Sequence, residues 1–106
     1  MKKVDFPQGT LELLILRVLS SGSNHGFGIA QRIHLLSKEV LKVEEGSLYP
    51  ALHRMHERGW IKSEWGTTEN SRRAKYYKLT RLGRKRLTAE KKSWETLATA
   101  ISDVLS

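Results

Sequence analysis

The stretch from Trp60 to Thr80 constrains the fold most, because it is the part of the chain whose pattern favours β-strands. WIKSEW and AKYYKLT are rich in aromatic and β-branched residues, and the turn-forming GTTENSRR lies between them. Segments of that composition form strands, and Gly, Asn and Ser between them mark a turn. We therefore predict a two-stranded hairpin with a long loop that carries Arg72 and Arg73.

Helical patterns precede the hairpin. Thr10 is a candidate N-cap for a first helix, whose apolar positions recur at helical spacing: Leu11, Leu14, Ile15, Val18 and Leu19. A helix this apolar is buried on more than one side, so it is either central in the fold or shared with a second subunit. A second helix is predicted over residues 28–37. Its inner stripe would consist of Phe27, Ala30, Ile33 and Leu36.

The segment EEGSLYPALHRMHERGW predicts a third helix that contains a proline. With Ser47 as the N-cap, Pro50 falls in the first turn, where a missing amide hydrogen costs little. The positions that then face inward are Leu48, Leu52 and Met55. The positions that face outward are Tyr49, His53 and Arg54.

A last helix is predicted from Thr80, a candidate N-cap, to the end of the sequence. Leu87, Trp94 and Ile101 are spaced seven residues apart, and the intermediate positions are filled by Leu97 or Ala98 and then by Val104 or Leu105. This spacing is typical of a short coiled-coil seam. Packing on the chain's own body would explain it, but packing on a second copy is favoured because the hairpin leaves the helix little of the body to lie against.

The order of these elements is helix, helix, helix, hairpin, helix, which is the order of a winged helix-turn-helix domain. We predict a mainly α fold with a β-hairpin wing, in which residues 1–80 bind DNA and residues 81–106 form a dimerisation helix. In this fold the third helix enters the major groove, where side chains meet base edges and phosphates. The wing then contacts the DNA backbone or the minor groove.

The charge distribution agrees with a polyanionic partner. The chain of 106 residues has a net charge of +8, and residues 54–106 carry 13 basic against 6 acidic groups. Between Arg72 and Arg86 there are 8 basic residues and no acidic one. A basic patch of this kind is typical of nucleic-acid-binding domains, although a solvated basic face is the plainer explanation. Arg81, Arg84, Lys85 and Arg86 oppose the dipole of the last helix, which favours an anion nearby.

Composition also bears on the surroundings of the protein. The sequence contains no cysteine, which excludes disulfides and thiolate metal sites and makes a reducing cytoplasm the simplest location. No apolar run approaches the roughly 20 residues of a membrane span. The start, MKKVDFPQGT, lacks the apolar stretch of a signal peptide, so we expect none.

Catalysis is not expected. The sequence has no Gly-rich phosphate loop, nucleophile elbow or paired acids, so no catalytic residue, metal or cofactor is assigned. His53 and His56 are three residues apart on one helix with Glu57 next to His56, a spacing that can hold a metal. A third ligand is not evident, and contact with solvent or phosphate is the preferred explanation.

Four motifs together resemble one protein family. They are GTLELLILRVL at residues 9–19, HGFGIAQRI at 25–33, EEGSLYPALHRMHERGWI at 44–61 and RRAKYYKLTRLGRKRL at 72–87. Each alone is weak, but in this order and at this spacing they resemble the PadR family of bacterial transcriptional regulators over essentially the whole chain. The short tail resembles the branch with a single C-terminal helix.

The resemblance implies a homodimeric, cytoplasmic, sequence-specific repressor that binds a pseudo-palindromic double-stranded operator. By position, its DNA-binding residues would be Ser47, Tyr49, Pro50, His53, Arg54, Arg72, Arg73 and Lys75. Its dimer interface would come from the first and last helices, with Leu11, Leu14, Ile15, Val18, Trp94, Leu97, Ile101 and Leu105. Some relatives bind small aromatic or cationic molecules at the dimer interface, so the resemblance implies an effector that releases the repressor, and Trp94 offers a stacking platform for it. A tryptophan at that position also fits a packed interface without any ligand.

Two other functions compete with this one. A winged-helix domain can serve as a protein-interaction module, since fold does not dictate function. The basic wing counts against that alternative. The domain could also bind nucleic acid without sequence preference, which predicts steep salt dependence and no preferred site.

Overall fold

The computed structural model describes residues 6, 7 and 9–106. The elements it contains are α1 (Thr10–Leu19), β1 (Asn24–His25), α2 (Gly26–Leu36), α3 (Glu45–Glu57), β2 (Ile61–Thr67), β3 (Arg73–Leu79) and α4 (Arg81–Leu105). The order confirms the predicted winged helix-turn-helix topology, with one additional short strand. The expectation about a signal peptide concerns residues 1–10, of which 1–5 and 8 lie outside the described residues, as does the start of the predicted DNA-binding domain.

The hydrophobic core lies where α1, α2 and α3 meet the base of the sheet. Its largest fully buried side chains are Ile15, Leu16, Leu19, Ile29, Leu48, Leu52, Met55 and Ile61. The inward positions predicted for the third helix are all among them, because positions three and four apart share one helix face. Five residues of α1 are buried, and the helix contacts α2, α3, α4 and β3, so it is central in the fold.

The sheet is antiparallel, with strand order β1–β3–β2. The predicted hairpin is β2 and β3, whose register runs from Ile61 opposite Leu79 to Thr67 opposite Arg73. Its loop, residues 68–72, is shorter than the predicted 66–73, because β2 continues through Gly66 and Thr67 and β3 begins at Arg73. The strand β1 was not predicted, since two residues are too short for an alternating pattern to be recognised.

The inner face of α2 differs from the prediction. The helix begins at Gly26, and its buried residues are Gly26, Gly28, Ile29 and Ile33. Phe27 is 69% exposed and Leu36 is 50% exposed, so neither belongs to the inner stripe. The start of α2 packs closely against Tyr49: a Cβ built at Gly26 would lie 2.7 Å from the tyrosine hydroxyl oxygen, so a larger residue there would displace the Tyr49 ring.

The start of α3 also differs from the prediction. The helix begins at Glu45, because the amides of Ser47 and Leu48 both donate to the carbonyl of Glu44, at 3.0 and 2.9 Å. Ser47 is therefore inside the helix and is not its N-cap. Pro50 lies in the second turn, where its missing N–H removes the bond that residue 50 would donate to the carbonyl of Gly46.

The last helix leaves the body of the molecule. Thr80 caps it as predicted, since its hydroxyl accepts from the amide of Gly83 at 3.0 Å. The helix packs against α1 and β3, where Gly83 is buried and Leu87 borders the core. Its 25 residues span roughly 37 Å at 1.5 Å per residue. The molecule is correspondingly elongated, measuring 50 × 35 × 21 Å.

Candidate nucleic-acid interface

The outer face of α3 is open to solvent along its length. All five residues predicted to contact DNA from this helix are exposed: Ser47, Tyr49, Pro50, His53 and Arg54. They are exposed because the opposite face is fixed in the core by Leu48, Ala51, Leu52 and Met55. A rigid helix with one buried and one free face can present these side chains in a constant arrangement.

Tyr49 is partly exposed and also packs against another helix. Its ring lies over Gly26 at the start of α2, within 2.9 Å of where a Cβ at Gly26 would be. It is also close enough to Tyr77 on β3 to affect that side chain: burial, and secondarily the charge of an ionised Tyr49, raise the pKa of the Tyr77 hydroxyl. Tyr49 thereby packs the outer face of α3 against the start of α2.

Two outward side chains of α3 have acidic partners. The Nε2 atom of His53 lies 2.9 Å from Oε1 of Glu57, one turn further along the helix. The guanidinium of Arg54 lies 3.6 Å from Oε1 of Glu12 on α1, and the Glu12 side chain is only 14% exposed. Arg54 thus leans toward α1, so its orientation depends on Glu12, a residue that the sequence patterns did not single out.

The wing presents its cations around an exposed tryptophan. Trp65 on β2 pairs with Lys75 on β3, and Arg73 lies on the same face of the hairpin. The guanidinium carbon of Arg73 is 4.9 Å from the centroid of the Trp65 ring, and Nζ of Lys75 is 5.8 Å from it. Both distances are within the range of cation–π attraction. Arg72, in the loop, is exposed as well.

The wing loop is closed by hydrogen bonds of its own backbone. Thr68 donates to the carbonyl of Arg72 at 2.7 Å, and Ser71 donates to the carbonyl of Thr68 at 2.9 Å. Ser71 adopts a left-handed conformation with φ of 59°. On the other face, the Tyr76 ring covers Gly66 and its hydroxyl donates to the carbonyl of Thr67. The wing is therefore a defined support for the basic side chains.

The basic residues at the base of α4 divide into two groups. Arg81, Arg84 and Lys85 are exposed, as an anionic partner requires. Arg86 instead forms an ion pair with Glu90 and lies 4.9 Å from the centroid of the Trp60 ring, where Arg58 also stacks at 5.1 Å. The sequence prediction treated all four as facing an anion, but Arg86 already has local partners.

The predicted dimer residues are placed differently on the two helices. On α1, Leu11, Ile15 and Val18 are buried in the core of the single chain, and Ile15 has no accessible surface at all. The prediction that these three form a subunit interface is therefore corrected, because their side chains are already used within the protomer. Leu14 keeps part of its side chain accessible. On α4 the exposed apolar residues include Trp94, Leu97, Ile101, Val104 and Leu105.

Two absences hold for the described part of the chain. No group of three or more His, Asp or Glu side chains is arranged to hold a metal, and the His53 ring faces Glu57. No helix in residues 6, 7 and 9–106 has the length and apolar content to cross a membrane.

Trp65 is the residue that sequence reasoning placed incompletely. Strand alternation places Trp65 on the same face as Ile61, which the register confirms, but Ile61 is buried while Trp65 is 59% exposed. Whether a residue on this face is buried or exposed depends on its distance from the core. The alternation of a strand gives the face of a side chain and not its depth.

Comparisons with known proteins agree on one family. Residues 15–89 match the Transcriptional regulator PadR-like family. The chain is similar to the transcriptional regulator Rv3488 of Mycobacterium tuberculosis, with 32% identity over 94 residues that cover 89% of this chain and 84% of that protein. Among solved structures, a transcriptional regulator from Clostridium thermocellum superposes with a TM-score of 0.81 at 30% identity, covering 91% of this chain and 93% of that one.

A second solved structure carries the family name. It is a PadR family transcription regulator from Clostridium difficile R20291, which superposes with a TM-score of 0.78 at 29% identity and covers 92% of this chain and all of that one. The similarity therefore extends from the helical body through the wing into the last helix.

Proposed function

This chain belongs to the Transcriptional regulator PadR-like family, and from that premise we propose that it binds a specific double-stranded DNA operator as a homodimer. The third helix enters the major groove, and the wing contacts the neighbouring backbone. Residues up to 80 form the DNA-binding domain, and residues 81–106 join two copies.

The observation that carries this proposal is the arrangement of α3. Four apolar residues fix one side of it in the core, while Ser47, Tyr49, His53 and their neighbours are exposed on the other. Hydroxyl, imidazole and guanidinium groups can donate to base edges and phosphates in the major groove. A face with this chemistry, held rigidly, is suited to sequence recognition rather than to nonspecific contact alone.

The wing supports contacts with phosphate. Arg72, Arg73 and Lys75 are exposed, and the strand face that holds Arg73 and Lys75 has Trp65 and Thr67 opposite them and no carboxylate. Each phosphate contact made by a lysine or arginine adds to the salt dependence of binding, by about 0.9 in the slope of log affinity against log salt. These residues would set the register of the protein on the duplex.

The exposed apolar face of α4 supports dimerisation. Trp94, Leu97 and Ile101 are each roughly half exposed on a helix that extends beyond the body. Two copies that bury these faces against each other around a twofold axis would present two α3 helices to one side of the DNA. The operator would then be an inverted repeat, with half-sites one helical turn, or a multiple of it, apart.

Repression and its relief complete the proposal. A dimer seated on an operator blocks access to the promoter, so we propose repression as the output. A planar aromatic or cationic effector would stack on Trp94 between the α4 helices, where 45% of that side chain is exposed in the single chain. We place the protein in the cytoplasm, since it acts on chromosomal DNA.

The test is a selection of random DNA duplexes against the purified protein at two salt concentrations. The proposal predicts that an inverted repeat is enriched and is retained at the higher salt. Binding that disappears with salt and enriches no sequence would contradict specific recognition and would leave a nonspecific nucleic-acid-binding domain.

A further inference from the structure

We propose that Trp65 is a positioning residue for DNA binding, which holds Arg73 and Lys75 of the wing in place for two successive phosphate contacts. This inference rests on the proposed function. It assigns a role to Trp65, which belongs neither to the exposed face of α3 nor to the proposed dimer interface on α4. Trp65 acts through the two cations and not by touching DNA itself.

The geometry of the hairpin brings these three side chains together. Trp65 is directly opposite Lys75, and Thr67 is opposite Arg73, so Arg73 is the diagonal neighbour of Trp65 on the same face. Directly opposed and diagonal positions are within reach of aromatic and long side chains. The indole therefore contacts both cations from one position, at 4.9 Å for Arg73 and 5.8 Å for Lys75.

An aromatic partner leaves the charge of a cation available, whereas a carboxylate neutralises it. Elsewhere in the molecule, Arg54 and Arg86 are held by Glu12 and Glu90. Among the described residues, neither Arg73 nor Lys75 has a carboxylate within ion-pair distance. Glu64 precedes Trp65 and so belongs to the opposite face of the strand. The wing thus keeps two ordered positive charges that are free to meet phosphates.

The exposure of Trp65 argues against a role in the core. Ile61 and Leu79, at the base of the same face, are buried, whereas Trp65 lies closer to the tip and is 59% exposed. A tryptophan this exposed contributes little to the burial of apolar area in the single chain. The ring therefore serves mainly to contact the two cations. These contacts already restrict both long side chains in the free protein, so less conformational entropy is lost when DNA binds.

The first experiment compares the wild type with Trp65→Leu and Trp65→Phe on the duplex enriched by selection, over a series of salt concentrations. Trp65→Leu keeps an apolar strand residue but removes the ring, and we expect an affinity about 5- to 30-fold lower, the size of two exposed cation–π contacts. The slope of log affinity against log salt should fall by about one to two, as expected for the loss of up to two phosphate contacts. Trp65→Phe should restore part of both values.

A double-mutant cycle separates positioning from direct contact. If Trp65 acts through Arg73, Trp65→Leu should lower the affinity for DNA less in an Arg73→Gln background than in the wild type. The loss of affinity that remains would be the part due to Lys75. Arg72→Gln is the matched control, because Arg72 is a wing cation with no contact to the ring, and its effect should add to that of Trp65→Leu. Melting temperatures establish that each variant is folded, and Trp65→Met replaces Trp65→Leu if the latter is not.

Three results would overturn the inference. They are an unchanged affinity in Trp65→Leu, a lower affinity with an unchanged salt slope, and full additivity with Arg73→Gln. The second and third would mean that the indole contacts DNA directly or acts through the fold. Failure of the proposed function is distinguishable, because the wild type itself would then show no preference for the selected duplex.

Discussion

At the scale of the residue, two glycines occupy opposite environments. Gly83 is the one buried residue of α4, and a Cβ at this position would lie 2.0 Å from the carbonyl oxygen of Trp60. That oxygen also accepts a hydrogen bond from the amide of Thr80 at 3.0 Å, so it cannot move freely. Gly46 in α3 is the opposite case, since nothing lies within 4 Å of its Cβ position.

We predict opposite effects for the same change at these two glycines. Gly83→Ala should lower the free energy of unfolding by about 2 to 3 kcal/mol, because α4 must move away from Trp60. Gly46→Ala should raise it by about 0.5 to 1 kcal/mol, because alanine loses less conformational entropy in a helix. Urea denaturation of both variants measures the difference. Equal effects at the two positions would show that α4 is not held against Trp60.

The shifted pKa of Tyr77 predicts a change in stability at alkaline pH. Burial raises this pKa above its ordinary value of 10.0, so the folded state keeps the hydroxyl proton at a pH where the unfolded state has lost it. The unfolded state then binds fewer protons, and stability falls as pH rises above about 10. The free energy of unfolding should decline less steeply in Tyr77→Phe than in the wild type over that range. Parallel curves would mean that Tyr77 ionises equally easily in both states.

At the scale of the element, α2 depends on a histidine cap that its sequence pattern does not reveal. The Nδ1 atom of His25 accepts a hydrogen bond from the amide of Gly28 at 3.1 Å, and the ring meets the edge of Tyr76 with centroids 5.3 Å apart. Histidine is not a common N-cap. This one begins the helix two residues before the predicted start and turns Phe27 outward.

We predict that His25→Ala lowers the free energy of unfolding by about 1 kcal/mol, the usual cost of losing an N-cap. His25→Asn is the matched control, because asparagine is a strong N-cap residue that lacks the ring. Thermal or urea unfolding of both variants measures the cap and the ring contact separately. If the asparagine variant loses as much as the alanine variant, the ring and not the cap stabilises α2.

The sequence predicted the core positions and one helix cap correctly, but not every helix start and not the contacts between elements. Leu48, Leu52 and Met55 repeat at helical spacing and were correctly placed in the core, and Thr80 was correctly identified as a cap. Ser47 was wrongly placed as the cap of α3, because Pro50 is tolerated in the second turn of a helix that begins at Glu45. The partners of Arg54 and Trp65 could not be predicted, since they depend on how separate elements pack.

At the scale of the whole molecule, the apolar half of α4 lacks a cover in the single chain. The radius of gyration is 14.6 Å, whereas about 13 Å is expected for a compact domain of this length. Trp94, Leu97 and Ile101 lie on the part of the helix that extends from the body, and each is about half exposed. The monomer is thus a winged-helix body with an extended apolar arm, which we propose is buried against a second copy.

We predict that Trp94→Asp combined with Ile101→Asp raises the dissociation constant of the dimer by more than about 100-fold, or nearly 3 kcal/mol, because two charges would be buried in the seam. Sedimentation equilibrium measures this directly. Thr99→Asp is the matched control, since Thr99 lies on the opposite side of the same helix and should leave assembly unchanged. A stable dimer of the double variant would place the interface elsewhere.

The most direct test of the central claim is the affinity ratio between the selected duplex and a scrambled duplex of equal length, measured by fluorescence anisotropy near physiological salt. A sequence-specific dimer predicts a ratio of about a thousand or more. It also predicts two protomers for each inverted repeat. A ratio near one, with both affinities falling equally steeply as salt rises, would contradict the account and reduce the chain to a basic domain that binds any duplex.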